Sequence, residues 1–517
     1  MASGEAVESA RRFCGPELYA ASATHARVSL ADVPLSPDGL RLLASNGNWS
    51  EVLALAERLE AEAAAQAERH ARKCGAVPRS ASPPDPPKRV RPVDLQEEKS
   101  ATQSSPVVGM TTAASPDSGL SADAAARSAR LPFVLVQVIA NLKMRRVAAA
   151  KKVIDAQGDI EGGEEFRHPV TRESFAPFSL RLIAAFFPLY VGAPMEAQKK
   201  LYALLEECLS HERSCCTAGS DVRMPAIEGD VAGRPSAVSV ALQRTWTQRV
   251  LRVQRALLHV HIHMNQHSLA YSLVERILRT EDAWHHKFQD LPDDLYQLRH
   301  VLQLQQLFCL ALHVGDSFHA QTTHAAIRKI ATGNSAQCDT QVTSSNAVSS
   351  TSLCKLITLS CDAFLAVFKS EYSEAMRLFR QVIDTAVDMK QALGTAADAV
   401  DTDGCSSSAS EGFISEETLR RCVLQDICAN AQVSFATCQA YRSDCDPTTH
   451  MSNLCTTLEG FAKAEPQVLC SSDAFLESLV RFYTLSGDRT DKLKGLADLL
   501  EVFRCDRGSL PNLEALV

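Results

Sequence analysis

Aromatic residues are scarce in this 517-residue chain, since Phe, Trp and Tyr together make up only 6% of it. Sheets favour aromatic and β-branched residues, so this scarcity, together with abundant Ala and Leu, disfavours β-sandwiches and barrels and favours helices. Hydrophobic residues at 45% and charged residues at 22% are close to the globular average. Most of the chain is therefore expected to bury a core, and to do so with helices.

A surplus of positive charge is also missing, because the formal net charge is -8 and the pI is about 6.0. This charge predicts no general attraction to nucleic acid or to anionic membranes. The longest apolar run, residues 131–142, contains Gln137 and Asn141 and is far shorter than the ~20 residues needed to cross a bilayer. The polar start, residues 1–13, lacks the apolar stretch of a signal peptide. We therefore expect a soluble, intracellular protein with no transmembrane segment and no nucleic-acid partner.

The 17 cysteines contain no Cys-x-x-Cys pair. Their one adjacent pair, Cys215–Cys216, lies in a polar stretch. A disulfide framework or a zinc site would need regular spacing with His or Cys partners. We therefore predict reduced thiols that serve as small hydrophobic residues in helices, as at Cys422, Cys428 and Cys438.

Sequence signatures of catalysis are missing too: the chain has no phosphate-binding Gly-x-x-x-x-Gly-Lys-Ser/Thr loop, no Gly-x-Gly-x-x-Gly turn and no Gly-x-Ser-x-Gly elbow. The densest group of titratable residues is His259, His261, His263 and His267. On one helix, His259, His263 and His267 would share a face, but no carboxylate or Cys accompanies them at close spacing. We predict packing and surface histidines, no catalytic, cofactor-binding or metal residues, no cofactor, and a chain that is not an enzyme.

A Pro-, Ser- and Ala-rich segment at residues 74–130 interrupts the globular pattern. Such a composition buries too little apolar surface to offset its ordering entropy, which predicts a disordered linker. It separates residues 1–73, expected to form helices with one degenerate repeat hairpin, from residues 131–517. Polar inserts near 213–240, 332–351 and 390–411 interrupt this second part. We predict that they are loops or disordered segments, because none of them shows a helical period.

The clearest helical pair covers residues 353–386. Its second half has an aromatic residue at Tyr372, a small residue at Ala375, and large apolar residues at Phe379 and Val382, all on one helix face. A single hairpin cannot bury both of its apolar stripes alone. The pattern is that of a degenerate tetratricopeptide repeat, in which the small residue lets two helices approach and the large ones fill the gap to the next repeat.

The same order of residues recurs along the chain, separated by more than the ~34 residues of a standard unit because the polar inserts intervene. An early copy contains Trp49, Val52, Ala56 and Leu59. The fold is therefore predicted to be all-α, a tetratricopeptide-like helical-hairpin solenoid with disordered inserts. The other predicted packing positions are Ala148, Ala197, Ala270 and Ala320, and a looser last unit with Leu454, Leu458, Phe461 and a terminating Pro466.

Five stretches occur in an order that carries a family resemblance. They are Pro177-Phe178-Ser179-Leu180-Arg181; Trp246 with Arg249 and Arg252; Val314-Gly315-Asp316; residues 362–379; and residues 475–500. In this order the chain resembles the trafficking protein particle (TRAPP) complex subunit 12 family from about residue 131 to the C-terminus, and loosely over residues 37–60.

The resemblance implies a scaffold subunit of a multisubunit tethering complex that acts on vesicles between the endoplasmic reticulum and the Golgi, and in autophagy. In that family the whole complex activates a Rab GTPase by nucleotide exchange, which the small core subunits perform. This subunit would join large accessory subunits such as 8, 11 and 13, and would lie in the cytoplasm, peripheral to Golgi and intermediate membranes. The resemblance brings no catalytic residue.

The alternative is a free tetratricopeptide adaptor or co-chaperone that binds peptide motifs in a concave groove. That role usually needs Lys, Arg and Asn converging from successive first helices on a carboxylate. The first helices offer Gln254, Gln305, Gln306 and Asn430, with basic residues irregularly placed. The sequence therefore predicts no such clamp.

Overall fold

The computed structural model describes residues 30–45, 47–73, 122–168, 173–217, 237–288, 293–333, 349–397, 416–442, 447–464, 468–487, 489–503 and 513. Within these ranges the chain is helical and has no strand, apart from an isolated antiparallel bridge between Arg167 and Ser174. The predicted all-α class is confirmed. The helices are α1 (Pro37–Ser45), α2 (Trp49–Lys73), α3 (Ala122–Lys143), α4 (Val147–Asp155), α5 (Phe178–Phe186), α6 (Pro194–Thr217), α7 (Ala237–His263), α8 (His267–Phe288), α9 (Asp293–Val314), α10 (Ser317–Gly333), α11 (Ser350–Phe368), α12 (Tyr372–Ala397), α13 (Glu416–Arg442), α14 (Pro447–Ala464), α15 (Val468–Ser471), α16 (Asp473–Ser486) and α17 (Arg489–Phe503).

The helices stack as hairpins in chain order. The hairpins are α1–α2, α3–α4, α5–α6, α7–α8, α9–α10, α11–α12, α13–α14 and α16–α17. The second helix of a hairpin packs on the first helix of the next, as α6 does on α7 and α12 on α13. Buried apolar side chains consequently form successive clusters along the stack instead of one central core. This is the solenoid architecture, in which each unit contacts mainly its neighbours.

One turn geometry recurs inside the hairpins. A residue with a left-handed backbone stands two positions before the second helix begins, at Gly47, Arg145, Gly192, Asn265, Gly315, Ser370 and Gly487. After each of them except Gly487, the next residue donates its N–H to a carbonyl five residues back, as Asp316 does to Ala311 at 2.8 Å and Gln266 to His261 at 2.9 Å. This is the Schellman arrangement that ends a helix and satisfies its last carbonyls.

The turn fixes which residue of the second helix is buried. The fourth residue of the second helix is a fully buried alanine in α4, α6, α8, α10 and α12, namely Ala150, Ala197, Ala270, Ala320 and Ala375. The prediction of Ala148 as a packing position is therefore wrong. The turn at Arg145 starts α4 at Val147, which leaves Ala148 exposed and gives the buried place to Ala150.

Substitution of Gly315 tests this turn geometry. Its φ is +84° and the space where a β-carbon would stand is open, so Gly315→Ala adds only backbone strain. We expect the free energy of unfolding to fall by about 1–2 kcal/mol, the usual cost of a left-handed non-glycine residue. Gly460, inside α14, also has open space at its β-carbon position, so Gly460→Ala should raise stability by ~0.5–1 kcal/mol. Urea unfolding measures both changes, and a neutral or stabilising Gly315→Ala would contradict the turn.

Helices extend into several segments that the sequence assigns to loops. The segment 74–130 is helical from Ala122, where Ala and Arg are strong helix formers although the apolar period starts only at Leu131. The polar last turns of α6 and α12, and the first turn of α7, likewise occupy parts of the predicted inserts, because exposed helix ends need no apolar stripe. The remainders, residues 74–121, 218–236, 334–348 and 398–415, lie outside the described residues.

An ion pair joins the second hairpin to the last one. Arg145, in the turn between α3 and α4, places its Nη2 atom 2.5 Å from the Glu477 carboxylate and 3.8 Å from that of Asp473. Both carboxylates belong to α16, in the last hairpin, more than 300 positions away along the chain. This side chain therefore links two hairpins that are not neighbours in the chain.

Helix α11 is, in the described part of the chain, the one helix whose length and hydropathy would suffice to cross a membrane. Its buried residues, among them Leu353, Leu356, Ile357 and Ala363, belong to the largest apolar cluster. The helix packs against α9, α10, α12 and α13. A core helix of a solenoid has the same length and composition.

Candidate functional site

The predicted repeat-packing positions lie almost entirely in the interior, so they hold hairpins together and offer no chemistry at the surface. Tyr372 and Phe461 are half-buried against the apolar clusters. Pro466 lies outside the described residues. The fully or nearly fully buried ones are Ala197, Ala270, Ala320, Ala375, Phe379, Val382, Leu454 and Leu458.

The histidine group does not form one helix face. Helix α7 ends at His263 and α8 begins at His267, so a turn separates them. His261 is buried, with Nδ1 2.7 Å from Oε1 of Gln266 and Nε2 3.0 Å from the hydroxyl of Tyr202. Over the residues that the structure describes, no group of three or more His, Cys, Asp or Glu side chains is arranged to hold a metal ion.

The cysteines divide into buried and exposed ones. Cys428 and Cys438 are buried free thiols that pack as small hydrophobic residues, whereas Cys422 is a free thiol in a helix but is exposed, so its predicted role as a small hydrophobic residue is wrong. Burial raises the pKa of Cys438 to about 11 and that of Cys208 to about 12. Since the thiolate is the reactive form, these two buried thiols are unreactive at neutral pH.

A groove of about 670 Å³ crosses several hairpins. It is lined by the start of α5, the middle of α7, the end of α8 and the starts of α9 and α13. The volume is within the range of small-ligand and peptide side-chain sites. Five of its lining residues are arginines: Arg244, Arg249, Arg252, Arg255 and Arg299.

On the side of the groove that α5 and α7 form, aromatic rings and a serine hydroxyl orient two of these arginines. The Cζ atom of Arg249 lies 4.3 Å from the ring centroid of Trp246 and 5.2 Å from that of Phe178. Arg252 donates from Nη2 to Oγ of Ser179 at 3.0 Å. These contacts are cation–π and hydrogen-bonding interactions that orient a guanidinium without neutralising it. Two of the stretches that carry the family resemblance therefore meet in this groove.

The α8–α9 wall carries the one glutamate of the groove. Glu281 forms an ion pair with Arg255. The ring of Tyr296 stacks on His285 with a centroid separation of 3.7 Å, and its hydroxyl donates to Asp282. Burial lowers the pKa of the Arg299 guanidinium, against the opposing effect of Glu281. The surrounding protein has displaced water from this guanidinium. Pairing with an anion is therefore more favourable for it than for a fully solvated guanidinium.

The lining has five arginines and one glutamate, a formal excess of four positive charges on a chain whose net charge is -8. The fold thus brings basic residues that are irregularly placed in the sequence to one groove. The available signal was the run of Arg244, Arg249, Arg252 and Arg255 on α7, whose spacings of five, three and three keep them close to one helix face. The hairpin register was needed to see that Arg299 faces them.

Comparison of the chain with protein-family models, with curated proteins and with solved structures finds no match.

Proposed function

We propose that this chain is a scaffold subunit of a TRAPP-type vesicle-tethering complex that acts in transport from the endoplasmic reticulum to the Golgi, and in autophagy. It works through protein–protein contacts and takes part in no reaction itself. A stack of helical hairpins with long exposed faces supports this role, because such solenoids offer extended surfaces to partners. The co-linear stretches that resemble the subunit 12 family support the assignment to this particular complex.

The observation that carries the scaffold proposal is a ridge of exposed apolar side chains at the turns. Met195, Leu269 and Phe318 are 64%, 45% and 71% exposed, and each is the second or third residue of the second helix of its hairpin. Tyr190 and Phe368, at neighbouring turns, are 48% and 40% exposed. Repeated apolar exposure at equivalent positions indicates an interaction surface, and large buried apolar anchors dominate protein–protein affinity.

In this proposal the ridge binds large accessory subunits such as 8, 11 and 13. Guanine-nucleotide exchange on a Rab GTPase belongs to other subunits of the assembly, so this chain serves the GTPase and the vesicle membrane indirectly. Its location is cytoplasmic, peripheral to Golgi and intermediate membranes.

Affinity purification of the tagged full chain from cells tests the proposal. The unchanged chain should recover other trafficking-particle subunits in near-stoichiometric amounts. The double variant Met195→Glu/Phe318→Glu should recover at least tenfold less, since each charge opposes an apolar anchor worth about 2 kcal/mol or more. Leu242→Glu is the matched control, because Leu242 is 50% exposed on α7 away from the turns; recovery should be unchanged. Recovery of the chain alone would remove the assignment.

The arginine groove favours a second candidate function, a free adaptor or co-chaperone that binds peptide motifs. Its guanidinium groups come from successive first helices, α7 and α9, as a carboxylate-binding site requires. The same purification separates the two functions, because a free adaptor would bring down peptide-bearing clients or chaperones in place of trafficking-particle subunits.

A further inference from the structure

We propose that the arginine groove binds an acidic peptide segment of a partner protein, with Asp or Glu carboxylates on Arg252 and Arg299 and an apolar side chain between them. This inference rests on the protein-binding role proposed above and names the chemistry of one partner. The groove is the surface lined by the starts of α5, α9 and α13, the middle of α7 and the end of α8.

The positive charge of the groove favours an anionic ligand. The groove has one carboxylate for five guanidinium groups, and that carboxylate, on Glu281, is already paired with Arg255. Arg249 and Arg299 lose water to the surrounding protein, and this burial lowers the pKa of both guanidinium groups. Desolvated positive charge is unfavourable until an anion pairs with it. A bound carboxylate would supply that pairing, and the planar guanidinium matches it with two parallel hydrogen bonds.

The shape and the apolar lining of the groove favour a peptide over other anionic ligands. Phe178, Leu251, Trp284 and Leu419 line the groove among the arginines, so apolar side chains have a place beside the carboxylates. An extended polyanion such as RNA would also contact the chain beyond the groove, and the chain as a whole has a net charge of -8, which opposes binding along a phosphate backbone. A short acidic segment with an apolar residue satisfies both the charge and the lining.

Fluorescence anisotropy on the purified full chain tests the inference. The probe is the fluorescein-labelled peptide Asp-Glu-Glu-Phe-Asp-Glu-Glu-Leu, and the comparison peptide replaces every acid by its amide. We expect saturable binding of the acidic peptide and at least tenfold weaker binding of the amide peptide. The double variant Arg252→Gln/Arg299→Gln should weaken the acidic peptide at least tenfold, because two charge-assisted contacts are lost.

The matched control is Arg276→Gln, which removes an exposed positive charge from α8 outside the groove. It should change the peptide affinity by less than twofold, and circular dichroism of every variant should match that of the unchanged chain. Equal weakening by Arg276→Gln, equal binding of the amide peptide, or no saturable binding would each overturn the proposal. So would preferential displacement of the probe by inositol hexakisphosphate or by an RNA oligonucleotide, since the ligand would then be a phosphate.

The result of the anisotropy measurement is independent of the result of the affinity purification. The anisotropy measurement uses the isolated chain, so an absence of trafficking-particle subunits in a purification leaves the groove affinity untouched. Conversely, a groove that binds no acidic peptide leaves the apolar ridge and its partners in place.

Discussion

Replacing Ala375 by arginine is expected to lower the free energy of unfolding by more than about 4 kcal/mol, which is at the upper end for a single substitution. Ala375 is fully buried as the fourth residue of α12, where α12 packs against α11. An arginine there must either bury an unpaired guanidinium or force the two helices apart. Urea unfolding followed by circular dichroism measures the loss, and recovery of partner proteins should fall with it.

Ser373→Arg is the control for this substitution. Ser373 is exposed on the same helix, two residues earlier, so the same side chain should change the stability by no more than about 0.5 kcal/mol. If both variants were equally destabilised, the effect would belong to the helix or its charge. If neither were, the packing position would be misplaced.

Breaking the ion pair between Arg181 and Glu207 is expected to have the second largest effect. The Arg181 side chain is only 7% exposed, and its Nη1 and Nη2 atoms lie 2.8 and 2.5 Å from the two carboxylate oxygens of Glu207. Arg181→Met leaves that carboxylate, which is 33% exposed, without its cation, and the loss of its charge-assisted hydrogen bonds should cost about 1.5–3 kcal/mol. The double variant Arg181→Met/Glu207→Met removes both charges and should recover most of the stability.

The pH dependence of the Arg181→Met defect follows from the same pair. Burial alone would raise the pKa of Glu207, but the hydrogen bonds and charge of Arg181 outweigh it and hold this pKa below its usual value. The stabilisation is therefore present above the pKa of an unfolded glutamate, about 4.3, and is lost as the pH falls through the lower folded value. The defect of Arg181→Met should thus be nearly constant from pH 7 to about pH 4.5 and should shrink as the pH falls further. A defect that stays constant below pH 4 would contradict the assigned pairing.

The sequence predicts the hairpin around residues 353–386 well because its apolar residues follow the helical period without interruption. Polar residues 369–371 mark the break, and the structure turns there at Ser370. The register of α4 could not be found in the same way. Ala148, Ala149 and Ala150 are chemically identical candidates, and only the left-handed backbone at Arg145 decides that Ala150 faces the neighbouring helix.

The arginine groove was hidden from the sequence for a different reason. Phe178, Arg252 and Arg299 are far apart in the chain, and the stacking of α5, α7 and α9 brings them to one surface. Periodicity reports which face of a helix is buried, but it carries no information on which exposed side chains of successive hairpins converge. The exposed ridge at Met195 and Phe318 is visible in sequence only once the turn geometry is known.

The native size of the chain in a cell extract is the most direct test of its proposed role as a scaffold subunit. Size-exclusion chromatography of an extract at endogenous expression level, followed by detection of this chain and of trafficking-particle subunits, gives the answer. We expect nearly all of the chain to elute in one large assembly, far above its own 56.1 kDa, together with those subunits. Elution mainly at the size of the single chain, apart from the other subunits, would contradict this role.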